Sequence, residues 1–136
     1  MYQPAQLSKM DIPLFLTPVP AGFPSPADDY KERSLDLNRH LIKQPAATIF
    51  IKANDDSMVK AGIFHGDLLI VDRSIKPCDR KIVIVALDGT TVIRRFRKIK
   101  DKIYLMPENP EYRPVEVIEG MDIEIVGVAT TVIHPL

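Results

Sequence analysis

KIVIVALDGTTVIRRF, residues 81–96, contains two runs rich in β-branched residues, separated by Asp88 and Gly89. Both central residues of a type I′ turn need positive φ, which aspartate and glycine tolerate. The stretch therefore predicts a β-hairpin with its turn at Asp88-Gly89. Because β-branched residues favour strands, the hairpin also indicates a β fold for the body around it.

Five further runs of similar composition surround this hairpin. The seven predicted strands are ATIFIKA (47–53), DLLIVD (67–72), KIVIVAL (81–87), TTVIRRF (90–96), KIYLM (102–106), PVEVI (114–118) and DIEIVGVATTVI (122–133). They predict a compact, mostly antiparallel β body. Two short helices are expected before it: ADDYKER (27–33), which follows Ser25-Pro26, and LNRHLIK (37–43), which follows Asp36 as its cap.

Residues 1–26 differ from the body because they hold six of the chain's twelve prolines. Proline lacks a backbone donor and fixes φ, so we expect an extended, mobile arm. Residues 1–21 should be mobile or pack as an exchangeable arm, because their prolines prevent strand pairing. The predicted domains are this arm, 1–26, and a folded body, 27–136. The long run at residues 122–133 would be an exposed strand edge unless it were covered, which favours a two-fold homodimer.

The composition fits one folded domain of 136 residues, 46% of them hydrophobic. Eighteen basic residues balance eighteen acidic ones, which disfavours a general nucleic-acid coat. A single cysteine, Cys78, favours a reducing compartment. Residues 1–16 lack the pattern of a signal peptide and no run has the length of a membrane span, so a cytoplasmic protein is expected. One cysteine and dispersed histidines predict no metal site and no cofactor.

Ser57 follows Asn-Asp-Asp at residues 54–56, and in that context serine is typical of a turn or a helix cap. A catalytic serine needs a base to activate it. His40, His65 and His134 are far apart in the sequence. No feature supports a Ser-His-Asp triad, although the order of triad residues varies between folds.

Two other segments each allow two interpretations. IRRFRKIKDK, residues 93–102, carries six positive charges and would suit phosphate contacts or the solvated face of a hairpin; the neutral chain favours the second. VPAGFPSP, residues 19–26, suits a linker or an extended peptide substrate with small residues, Ala21 and Gly22, at its centre.

Four segments occur in an order that resembles a known family: AGFPSPADDY (21–30), SLDLNRHLI (34–42), DSMVKAGIFHGDLLIVD (56–72) and the hairpin at 81–96. They resemble the UmuD branch of the LexA-type self-cleaving serine peptidases, over about residues 15–133. The resemblance implies a mostly β, LexA-like peptidase fold with short N-terminal helices and an extended arm.

The same resemblance implies a role in the SOS response to DNA damage. In that family a RecA filament on single-stranded DNA stimulates self-cleavage. The shortened homodimer then serves a UmuC-type Y-family DNA polymerase in error-prone translesion synthesis. The family's nucleophile is the serine of a Ser-Met pair, here Ser57, and its cleavage site is a small residue before glycine, here Ala21-Gly22. Its general base is a lysine at the position that Arg94 occupies in this chain.

Arg94 departs from that pattern in a way that touches the chemistry. A neutral lysine amine accepts a proton from serine when apolar burial lowers its pKa, and Val92 and Phe96 share the predicted strand face of Arg94. Arginine stays protonated and has no acceptor lone pair. Lys98 and Lys52 are the nearest lysines, but the sequence places neither beside Ser57.

Three functions fit different features of this sequence. The first is a self-cleaving, UmuD-like accessory subunit of a translesion polymerase. The second is a LexA-like repressor, which is disfavoured because only 21 residues precede Gly22, too few for a helix-turn-helix domain. The third is a catalytically impaired homologue that acts only as a dimeric binding module. The sequence fits both a naturally impaired relative and a chain whose lysine was replaced to hold the uncleaved form.

Overall fold

A computed structural model describes residues 11–15 and 31–136. They fall into two compact units, residues 11–15 with 31–43, and residues 44–136. The domain boundary predicted between residues 26 and 27 lies outside the described residues. In the part that is described, no helix has both the length and the apolar character needed to cross a bilayer.

The smaller unit pairs strand β1 (Asp11–Phe15) with strand β2 (Lys31–Asp36) in antiparallel fashion, followed by helix α1 (Leu37–Leu41). The cap predicted for α1 is confirmed, because Oδ1 of Asp36 accepts the Asn38 N–H at 3.1 Å. The helix predicted over 27–33 is wrong at residues 31–33, which belong to β2. Pairing with β1 supplies the backbone hydrogen bonds there, and it outweighs weak local helix signals.

Pro13 also departs from the expectation that prolines prevent pairing in residues 1–21, since it lies opposite Ser34 in this ladder. Proline is tolerated in edge strands, where one side of the backbone needs no partner. Both strands of a two-stranded sheet are edges, so the pairing does not require a proline N–H on the outer side.

The larger unit is one antiparallel sheet, and all seven strands predicted for it are confirmed. They are β3 (Thr48–Lys52), β4 (Leu68–Asp72), β5 (Ile82–Leu87), β6 (Thr90–Ile99), β7 (Lys102–Met106), β8 (Val115–Val117) and β9 (Ile123–Ile133). Their spatial order is β3-β4-β9-β5-β6-β7-β8. The fold is thus mostly β, as predicted.

The C-terminal strand β9 lies inside the sheet, between β4 and β5. This corrects the expectation that residues 122–133 form an edge that needs a partner chain. Its backbone is hydrogen-bonded on both sides, to β4 and to β5. An argument for a dimer from an exposed β9 edge therefore fails.

The Asp88-Gly89 turn is confirmed, with φ of 50° and 80° at its two residues and Leu87 opposite Thr90. Positive φ at both positions is what a type I′ turn requires. The turn fixes the register of β5 against β6. That register sets which side chains of β6, Arg94 among them, point to which face.

Two apolar clusters pack on the sheet. The first contains Ile49, Ile51, Ala53, Met58, Ile63, Leu69, Val71, Ile84 and Ile93; the second contains Val83, Val85, Phe96, Leu105 and Val128. Ile84 faces the first cluster, while its neighbours Val83 and Val85 face the second, because successive strand residues point to opposite faces. Burial on both faces explains why the β5 sequence is a continuous apolar run.

Candidate active site

The backbone at Ser57 forms a tight polar turn. Asp55 Oδ1 accepts the Ser57 N–H at 2.9 Å, and a single 3-10 turn, Val59–Ala61, follows and ends at Gly62 with φ of 83°. Met58 is the residue at the N-terminal end of that turn, which has no side-chain cap. The turn interpretation of Ser57 thus holds for its backbone, whereas its hydroxyl does not cap the turn.

The loop between β7 and β8 fixes this turn in place with three hydrogen bonds. Glu108 N–H donates to Ser57 O at 2.8 Å, and Lys60 N–H donates to Glu108 O at 2.9 Å. The Asn109 side-chain amide donates to Asp56 O at 2.8 Å. The Ser57 backbone is therefore held both by its neighbour Asp55 and by one distant loop, which restricts where its side chain points.

The side chain of Arg94, on β6, meets the hydroxyl of Ser57. Arg94 Nη1 donates a hydrogen bond to Ser57 Oγ at 2.7 Å, although the residues are 37 positions apart. Ser57 is fully buried. The structure thus brings together the two residues that the family resemblance singled out within the body.

The guanidinium of Arg94 has three further neighbours. Nη1 also donates to Ile93 O at 2.7 Å, and Cζ lies 5.8 Å from the centre of the Tyr112 ring, within the range of a cation–π contact. Burial lowers the pKa of Arg94 from its ordinary value, while the charges of Asp55 and Tyr112 act in the opposite direction and raise it. Arginine starts so far above neutral pH that Arg94 remains protonated.

The other predicted site residues do not join this pair. Lys52 and Lys98 are exposed, and among the described residues only Arg94 makes a side-chain hydrogen bond to the hydroxyl of Ser57. Ala21 and Gly22, the predicted cleavage site, lie outside the described residues. Neither lysine therefore hydrogen-bonds to the Ser57 hydroxyl in this arrangement.

A histidine–aspartate pair exists, but it does not include Ser57. His134 Nδ1 lies 2.5 Å from Oδ1 of the buried Asp67, and the Phe64 N–H donates to Asp67 Oδ2 at 2.8 Å. Burial alone would raise the pKa of Asp67, but the hydrogen bonds from Phe64 and His134, together with the charge of His134, outweigh it and hold the pKa below its ordinary value. His40 and His65 are exposed. The pair ties the end of β9 to the turn before β4.

The basic run at residues 93–102 is largely paired within the fold. Arg95 forms an ion pair with Glu108 at 2.6 Å, Arg97 with Asp79 at 3.0 Å, and Lys102 Nζ lies 3.9 Å from Glu116. The Lys98 N–H donates to Asp79 at 2.8 Å, which, together with Arg97, lowers the pKa of Asp79 against the opposing effect of burial. These contacts support the interpretation of the run as a hairpin face.

Three residues of the site escaped the sequence reasoning: Asp55, Glu108 and Tyr112. The Asp-x-Ser spacing at 55–57 is a signal for the turn that Asp55 makes. Glu108 and Tyr112 lie in the loop PENPEY, 107–112, which reads only as a chain break between strands. An open cavity of about 400 Å³ lies at this loop, lined by Lys60, Pro107, Glu108, Asn109, Pro110, Tyr112 and Pro114.

Comparison with known proteins identifies the family. Residues 13–130 match the family described as Peptidase S24-like. The chain is 45% identical to protein SamA of Salmonella typhimurium over 90% of this chain and 84% of that protein. It is 46% identical to protein ImpA of Escherichia coli over 90% of this chain and 83% of that protein.

A third relative is LexA repressor 1 of Geobacter sulfurreducens. It is 34% identical to this chain, over 87% of the chain and 58% of the repressor. The match thus leaves a large part of the repressor without a counterpart in the alignment. The chain belongs to the Peptidase S24-like family and, within it, to the UmuD type of LexA-related peptidase.

Proposed function

We propose that this chain is a UmuD-like SOS-response protein whose peptidase site is held inactive by Arg94. It acts as a homodimeric, cytoplasmic accessory subunit of an error-prone, UmuC-type translesion polymerase. Ser57 occupies the nucleophile position and Ala21-Gly22 is the bond that an active form would cut. The domains are the arm, 1–26, which carries that bond, and the peptidase domain, 27–136.

One observation carries the inactive state: Nη1 of Arg94 lies 2.7 Å from Ser57 Oγ and donates to it. Peptide cleavage by serine requires a group that removes the hydroxyl proton. A guanidinium has five N–H donors and no acceptor, so it cannot remove that proton. It instead occupies a lone pair of the oxygen that would attack the peptide carbonyl.

Access to Ser57 limits the reaction further. Its side chain has no exposed surface, so a substrate carbonyl reaches Oγ only after the surroundings move. Such a movement has to break the bond to Arg94, and hydrogen bonds to charged groups contribute about 1.5–3 kcal/mol. The site is therefore inactive for two reasons: it lacks a base, and a substrate has no room to reach Ser57 Oγ.

The proposed accessory role is supported by sequence similarity to relatives rather than by the geometry of the site. SamA and ImpA align with nine tenths of this chain, and the chain is of the UmuD type, the type for which the family resemblance implies a role in SOS mutagenesis. Binding of a partner through the β body does not require an active serine. The uncleaved chain is thus the form proposed to engage the polymerase.

Intact mass spectrometry tests the proposal. The chain is incubated with RecA, single-stranded DNA and a slowly hydrolysed ATP analogue, and its mass is followed for hours. We expect an unchanged mass, with the Arg94→Lys variant as the positive control that is cut before Gly22. Efficient cutting of the unmodified chain would refute the inactive state. Failure of the uncleaved chain to bind a UmuC-type polymerase in a pull-down would refute the accessory role.

A further inference from the structure

The structure joins two basic segments that are far apart in the sequence. Arg80 N–H donates to Phe96 O at 2.7 Å, and Phe96 N–H donates to Lys81 O at 2.8 Å. The segment before β5 therefore continues along β6, and residues 76–81 lie beside the basic run at residues 93–102. Together the two segments hold nine of the chain's eighteen basic residues and two of its eighteen acidic ones.

This distribution changes what the neutral net charge implies. The rest of the chain holds nine basic residues and sixteen acidic ones, so neutrality is the balance of a basic region and an acidic remainder. At physiological salt a charged ligand responds to the charges within about 8 Å, because those farther away are screened. A polyanion is therefore attracted to the basic region although the whole chain carries no net charge.

Acidic side chains neutralise only part of the charge in this region. Asp79 serves two arginines, because its Oδ1 lies 3.0 Å from Arg97 Nε and its Oδ2 lies 3.9 Å from Arg80 Nε. The Arg80 side chain is 79% exposed. Lys98 and Lys100 are exposed and form no ion pair with the described residues. Both lie within about 10 Å of Arg97 along the chain, so they add to the positive potential there.

An aromatic ring lies among these cations. In the β6–β7 ladder Tyr104 is directly opposite Arg97, and Lys102 is opposite Ile99. Directly opposed residues share a face of the sheet, and so do residues two apart on one strand. Arg97, Tyr104 and Lys102 therefore share one face. Tyr104 is half-buried on it, and the Lys102 side chain is 64% exposed, with its Nζ 3.9 Å from Glu116.

A single strand of nucleic acid combines the two features that this face can bind. Its phosphates carry one negative charge per nucleotide, and arginine matches the phosphate geometry through two parallel hydrogen bonds. Its bases stack on accessible aromatic rings. A duplex offers phosphates but keeps its bases stacked inside. A second copy of this chain would bring basic surfaces together, because a two-fold contact pairs each surface with itself.

We propose that this region binds single-stranded nucleic acid, with phosphates on its cations and a base on Tyr104. The region is named here the Tyr104 surface and is formed by Arg80, Arg97, Lys98, Lys100, Lys102 and Tyr104. The inference goes beyond the proposed accessory role, which requires protein partners only. It does not depend on the state of Ser57, because none of these residues takes part in the contact between Arg94 and that serine.

Fluorescence anisotropy of the full chain with a labelled oligothymidylate of about 20 nucleotides tests the inference without RecA. We expect a dissociation constant below about 100 μM at about 50 mM salt. Three neutralised phosphates would give a slope of about −2 for the logarithm of the binding constant against that of the salt concentration. A duplex of the same length and polyglutamate should each bind at least about fivefold more weakly, since neither places a base on Tyr104. No measurable binding of the oligothymidylate, or equal binding of the duplex or of polyglutamate, would overturn the proposal.

Matched variants locate the binding. Arg97→Gln combined with Lys102→Gln should reduce the salt slope by about 1.4, as expected for two lost phosphate contacts. Tyr104→Ala should weaken binding about fivefold or more at an unchanged slope, whereas Tyr104→Phe, which keeps the ring, should bind like the unmodified chain. Lys52→Gln is the control, because β3 lies at the far edge of the sheet, and it should change the affinity less than about twofold. Unchanged binding in either the double variant or Tyr104→Ala would overturn the proposal.

Because a variant can fold poorly, the backbone amide resonances of the unmodified chain are followed as the oligothymidylate is added. Those of Arg97 and Tyr104 should shift, while those of β3 should stay in place. Resonances of Arg97 and Tyr104 that do not move at saturation would likewise overturn the proposal. A chain that stays intact but binds no oligothymidylate refutes the Tyr104 surface alone, whereas a chain that cuts itself and binds it refutes the inactive state alone.

Discussion

Replacement of Arg94 by lysine is expected to switch on self-cleavage at Ala21-Gly22. Lysine is one bond shorter than arginine, about 1.5 Å. The arginine side chain does not use its full length, because Nη1 also turns back to the carbonyl of Ile93 on its own strand. An extended lysine therefore has the reach to bring its amine to Ser57 Oγ.

The size of the effect follows from the role of the base. A positioned general base contributes about 10²–10⁴-fold to a rate, equivalent to about 3–5 kcal/mol. Partial burial at this position lowers the pKa of an amine, whereas the charge of Asp55 raises it. The rate should therefore increase with pH and level off once the introduced lysine is neutral. The unmodified chain should stay intact over the same pH range, because Arg94 remains charged.

Intact mass spectrometry over a pH series, with and without the RecA filament, measures both rates. Arg94→Gln is the matched control, since it removes the charge without supplying a base and should leave the chain uncut. Ser57→Ala in the Arg94→Lys background should abolish the product that begins at Gly22. A folded Arg94→Lys chain that stays intact at every pH would refute the assignment of position 94 to the base. Cutting that survives Ser57→Ala would refute the assignment of Ser57.

Three further outcomes are expected. Gly127→Ala should lower the free energy of unfolding by about 1–3 kcal/mol in urea titrations, because the added Cβ would lie 2.8 Å from Val71 Cγ1. Asp67 has a pKa below its ordinary value of 3.8, so its stabilising effect is present above that pH and is lost as the pH falls further. Unfolding at acid pH should therefore be less pH-dependent in Asp67→Asn than in the unmodified chain. Sedimentation at micromolar concentration should give a dimer, and a stable monomer would contradict it.

Local signals determined most of the larger unit. Strand composition placed all seven strands, and the Asp88-Gly89 pair placed the central hairpin, because positive φ at two successive residues is a property of those residue types. The Ser-Met pair and the spacing of the surrounding motifs indicated the family, and they drew attention to Ser57 and Arg94. Asp36 marked the start of α1 for a similar reason, since its carboxylate caps the helix locally.

Such local signals do not predict which strands pair when they are far apart in the sequence. The sequence of β9 has the same composition whether the strand is an edge or lies inside a sheet, and only the tertiary structure inserts it between β4 and β5. The local pattern of residues 31–33 permits a helix, but pairing with β1 makes them a strand. Pairing partners distant in sequence supply the hydrogen bonds that decide these cases.

The candidate site also combines features that the sequence predicts with features that only the tertiary structure shows. The sequence by itself indicated that an arginine stands where the family resemblance predicts a base, and that this arginine stays protonated, because the protonation of arginine depends on its own chemistry rather than on the fold. Only the tertiary structure decided that this arginine bonds to Ser57 Oγ, that Tyr112 and the loop of Glu108 lie beside it, and that Lys52 and Lys98 stay exposed. Contacts of this kind depend on the register of β6 and on the path of the β7–β8 loop, which are set by packing between segments far apart in the chain.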